Sequence, residues 1–74
     1  MTHLINTTLE QFLNVLDART HVTVFVDDTD APKKSNCMVY EILTDKEFIE
    51  SYKFAQITGI NICMGVTHIL VEKV

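Results

Sequence analysis

Asp27, Asp28 and Asp30 are the residues of this 74-residue chain whose type and spacing come nearest to chemistry. Alternating acids in a polar stretch resemble the opening of a calcium loop, where oxygen ligands recur along a tight turn. The rest of that pattern is missing. The position that needs glycine is Pro32, and the position that needs a bidentate glutamate is Met38. As a general acid/base pair the same carboxylates would need the raised pKa that burial supplies, and their polar neighbours mark a solvated loop. The functional reading that survives beside the solvated loop is recognition. Lys33 and Lys34 follow at once and put both signs on one protrusion.

The remaining reactive types do not assemble by spacing. His3, His21 and His68 are scattered, and although His21 and His68 could approach if their strands pair, no acid or thiol is spaced beside them as a zinc site requires. Cys37 and Cys63 each sit in an apolar run without Cys-x-x-Cys spacing, the pattern of reduced core thiols. A nucleophilic cysteine would need a nearby His base, and Ser35 and Ser51 lack the Gly-x-Ser-x-Gly turn. Two glycines, Gly59 and Gly65, cannot build a phosphate-cradling loop. No catalytic residue, metal or cofactor is expected. Tyr40, Tyr52, Phe54 and Met64 are of the types that enrich interface centres, though each also suits a core. The expected partner-binding residues are Asp27, Asp28, Asp30, Lys33, Lys34 and Tyr40.

The elements that must position these residues are legible in part. Ile57 to Val74 carries two β-branched apolar runs broken at Met64-Gly65 and alternates with a period of two, which predicts a hairpin with Gly65 at positive φ. Thr7-Thr8-Leu9-Glu10 has the Thr-x-x-Glu form of a helix start, with Leu4 and Ile5 as a staple, and Leu9, Phe12, Leu13 and Leu16 make one helical stripe. His21 to Asp27 reads as a strand with Val22, Val24 and Val26 on one face. A polar loop, DDTDAPKKSN, leads to a second strand over Asn36 to Leu43. Thr44-Asp45-Lys46-Glu47 repeats the helix start, with Phe48, Ile49 and Tyr52 inward. The predicted fold is α+β, a single domain over residues 1–74. Its elements run α-β-β-α-β-β, as a two-layer sandwich of an antiparallel sheet with helices on one face.

Composition bounds the function. Hydrophobic residues are 47% of a chain too short to hide them all, which calls for a homodimer or a partner face. A formal charge of −4 without a basic stripe argues against direct nucleic-acid binding, and a DNA-mimicking role has little beyond that charge to support it. No run is long enough to span a bilayer, and MTHLINTTLE lacks the features of a signal peptide, so a cytoplasmic protein without membrane contact is expected.

The succession LEQFLNVLD, HVTVFVDD, a polar loop, CMVYEIL, DKEFIESY and a closing apolar hairpin resembles small proteins encoded by bacteriophages and prophages of Gram-positive bacteria. The resemblance covers most of the chain as a pattern and carries no residue-level motif. It implies a non-catalytic protein that binds and blocks host machinery, in the manner of anti-CRISPR and other anti-defence proteins. Two other classes stand beside it. One is a dimeric module holding a small ligand such as a nucleotide through Tyr40, Asn61, Thr67 and His68; the other is a structural subunit of a larger assembly.

Overall fold

Thr8 opens the first helix by accepting the Gln11 N–H on its hydroxyl at 3.3 Å, while the Gln11 side chain accepts the Thr8 N–H at 3.1 Å. The reciprocal cap is therefore one residue later than the Thr7–Glu10 pair expected, because a glutamine side chain serves as well as a glutamate. The computed structural model describes residues 7–27 and 31–73. The staple expected of Leu4 and Ile5 lies outside them.

The described elements are α1 (Leu9–Val15), β1 (His21–Val26), β2 (Lys34–Met38), α2 (Val39–Leu43), α3 (Lys46–Tyr52), β3 (Gln56–Cys63) and β4 (Val66–Glu72). Four strands form one sheet in the order β2-β1-β4-β3. The α+β class stands, and both hairpins pair antiparallel as expected. The sheet is mixed, however, because β4 lies parallel to β1, with Val22 beside Thr67, Val24 beside Ile69 and Val26 beside Val71. This register brings the valine stripe of β1 and the apolar stripe of β4 onto one face. Those residues join Leu9 and Leu13 of α1, Val39 and Ile42 of α2 and Phe48 of α3 in a single buried cluster.

The strand expected over Asn36 to Leu43 is overturned in its second half. Val39–Leu43 is a helical turn, α2, whose leading amides are taken by carbonyls ahead of β1: Val39 N–H donates to Thr20 O at 2.9 Å and Tyr40 N–H to Ala18 O at 3.0 Å. Glu41 reaches back to accept the Met38 N–H at 2.9 Å. Val39 and Ile42 then fall three apart on the buried side. The second predicted helix is present as α3, but Asp45 caps it, accepting the Phe48 N–H at 3.2 Å. Thr44 instead closes α2, its hydroxyl donating to Tyr40 O at 2.8 Å.

The closing hairpin turns on Met64 and Gly65, both at positive φ (53° and 80°), the pair of left-handed residues that a two-residue turn matched to strand twist requires.

Candidate protein-binding surface

Cα partners across a sheet share a face, so the register divides the sheet's side chains. Val24, Ile69 and Ile60 are in line on the core side. On the reverse side lie Thr23, Phe25, His68, Leu70, Asn61, Cys63 and Val66. Only Thr23 among them is buried. Leu70 is 36% exposed, and Phe25 is half-buried with its ring 5.7 Å from that of His68. The result is a shallow apolar strip with an imidazole at its centre. Among the described residues no cluster of His, Cys, Asp and Glu could hold a metal ion.

This face runs into the β3–β4 hairpin. Ile62 is 71% exposed and Met64 at the tip 96%, and no Asp, Glu, Lys or Arg occurs from Phe54 to Val71. Exposed apolar side chains thus gather on this hairpin and the strand face beside it, with Val15 and Phe54 exposed elsewhere. Burying such side chains against another molecule yields about 25 cal/mol per Å² of apolar area, whereas leaving them in water yields nothing.

The residues expected to bind a partner are dispersed by the fold. Asp27 ends β1 at φ 55°, and its carboxylate accepts the Lys73 N–H at 2.8 Å while its own N–H donates to Val71 O at 2.9 Å. It clips the end of β4 to the end of β1. Asp28 and Asp30 lie outside the described residues. Lys33 is exposed, with its N–H bonded to Val24 O at 2.8 Å. Lys34 is instead occupied: it faces the core side opposite Val24, pairs with the Asp45 carboxylate and lies 5.3 Å above the Phe48 ring. Tyr40 is 48% exposed on α2.

Asp27 and Lys34 therefore carry structural duties that no spacing in the sequence announced. The parallel register also sets the Asp27 end of β1 at the opposite end of the sheet from the Met64-Gly65 tip. Asp27 and the hairpin tip therefore do not share one small epitope.

Three further expectations are settled by position. Cys37 is half-buried against the core as expected of a core thiol, but Cys63 is exposed, since the register puts it on the reverse face of the sheet, away from the core cluster. His21 and His68 sit on adjacent strands, yet the register places His68 beside Thr23 rather than beside His21. The four polar groups of the small-ligand reading do not converge: Asn61 pairs with His68 on the reverse face, Thr67 falls on the other face beside Ile62, and Tyr40 is on α2.

Asp45, the cap of α3, meets the Lys34 ammonium. Its carboxyl is held below the ordinary value of 3.8, first by the hydrogen bond from Lys34 and then by the Phe48 N–H. No helix of the described residues is long and apolar enough to cross a membrane. No family model, curated protein or solved structure matches this chain.

Proposed function

We propose that this chain is a non-catalytic protein-binding inhibitor, acting as a homodimer in the cytoplasm against a bacterial defence or nucleic-acid-processing protein, in keeping with the pattern it shares with small phage proteins. The observation that carries the reading is the reverse face of the sheet, where Phe25, Val66, His68 and Leu70 form an apolar strip outside the core cluster. Aromatic and aliphatic anchors of this kind, with few charges among them, are what the centre of a protein interface uses. Lys33 and Tyr40 are exposed side chains outside this strip, available as the polar contacts that set orientation and rate more than affinity.

Expression in a bacterium with an active CRISPR defence, challenged by a phage that the defence targets, tests the reading. The wild-type chain is expected to restore plaques. Leu70→Glu sets a charge on the strip without touching the buried cluster, and should reduce the recovery about tenfold or more, as loss of a central anchor does. Failure to restore plaques against any defence system, with folded protein present, counts against the inhibitor. Equal recovery by both forms would move the binding surface elsewhere.

A further inference from the structure

We infer that the outer edge of β3 is a docking strand for a second copy of this chain, added antiparallel about a twofold axis beside Asn61. The inference rests on the proposed homodimer and names its surface. β2 and β3 are the edges of the sheet. β2 is spoiled as a template: it is 5 residues long, starts with Lys34, has a register shift opposite Val22 and Val24, and holds Asn36 at φ 51°. β3 runs for 8 residues with neither a charge nor a proline to discourage pairing.

The register shows which backbone groups of β3 look outward. Ile57 donates its N–H to Thr7 O at 3.1 Å, on the side away from β4. The bulge between Ile57 and Gly59 then moves the alternation by one residue, so that Ile60 and Ile62 take the outward positions. In agreement, the Ile62 N–H meets the Asn61 Oδ1 at 3.0 Å. That local bond is a placeholder that a second strand can replace.

The bridge from Thr8 to Gln56 covers the start of this edge, and the turn at Met64-Gly65 ends it. Among the described residues the open stretch runs from Thr58 to Cys63, its outward residues are Ile60 and Ile62, and Asn61 lies midway between those two. Two equal stretches paired antiparallel about that midpoint set Ile60 of one copy opposite Ile62 of the other. Both have outward backbone groups, as a hydrogen-bonded pair requires, while Asn61 meets its own counterpart in a non-hydrogen-bonded pair. Ile60 and Ile62, 42% and 71% exposed on the core side of β3, would then cover their counterparts. A chain of net charge −4 repels its copy where acids meet, and this stretch has none.

The test is a chain carrying Cys37→Ser, Cys63→Ser and Asn61→Cys. A non-hydrogen-bonded antiparallel pair sets Cα atoms about 4.5 Å apart, within the span of a disulfide. Mild oxidation at high dilution should give a covalent dimer, far faster than in the same background with Glu50→Cys on α3. Light scattering of the unaltered chain should give twice the chain mass, and Ile62→Lys, at an exposed position, should weaken the dimer about tenfold or more. A chain that stays monomeric into the millimolar range overturns the homodimer and this surface together. A dimer indifferent to Ile62→Lys, and cross-linked no faster through Asn61→Cys than through Glu50→Cys, overturns the surface alone. Protection of the outward β3 amides from exchange in a monomer would put another segment on the edge and overturn it as well.

Discussion

Replacing Thr23 by Val probes how the irregular edge of the sheet is held. The pairing of β1 with β2 slips between Val22 and Val24, so Thr23 has no direct partner, and Asn36, turned to φ 51°, aims its N–H at the Thr23 Oγ1 at 2.9 Å. The hydroxyl takes the place of a missing ladder carbonyl. Thr23 is 6% exposed and valine has nearly its shape, so Thr23→Val removes the acceptor without opening a cavity. Leaving a buried donor unsatisfied costs about 1–3 kcal/mol. Because Asn36 is exposed, water recovers part of this, and the lower end, about 1 kcal/mol, applies. In a domain of this size that is a fall of about 4–8 °C in Tm. Thermal melting gives the total, and amide hydrogen exchange gives the location: the Asn36 amide should accelerate more than its neighbours. A Tm at or above that of the wild type, with Asn36 exchange unchanged, would refute the assignment of the hydroxyl as the acceptor that holds the bulge.

Asp45→Asn keeps a capping side chain while removing the charge that meets Lys34. Because the folded pKa is depressed, the pairing stabilises fully above the ordinary value of 3.8 and is lost as pH falls through the lowered folded value. The substitution should lower Tm at neutral pH and converge with the wild type in strong acid; a gap that persists there contradicts it. At the hairpin tip, Gly65→Ala should cost about 1 kcal/mol from backbone strain alone, since nothing stands within 4 Å of an added Cβ. Met64→Asn should stabilise by a few tenths of a kcal/mol, because asparagine tolerates the left-handed region better than methionine. Denaturant midpoints with unchanged slopes would register both.

Local chemistry determined a good part of this protein from its sequence. The stripe of Leu9 and Leu13, the Phe48 face of α3, the alternation of β1 and the Met64-Gly65 turn each follow from contacts within a few residues, and each is where the pattern put it. Val39–Leu43 escaped because five residues hold barely more than one helical turn. A run of Val39, Ile42 and Leu43 suits either period, and the choice fell to the Thr20 and Ala18 carbonyls waiting for its amides. The parallel pairing of β1 with β4 joins segments more than forty residues apart, a choice that no local preference encodes. A like distance hid the duty of Asp27, whose partner Lys73 reaches it only when β4 pairs with β1, and Lys34 meets Asp45 only because α2 turns the chain back toward β2. The sequence by itself decided which side chains need cover, and the tertiary structure decided which received it. Ile60, Ile62 and Met64, toward the hairpin end of β3, fall outside the buried cluster and stay in water.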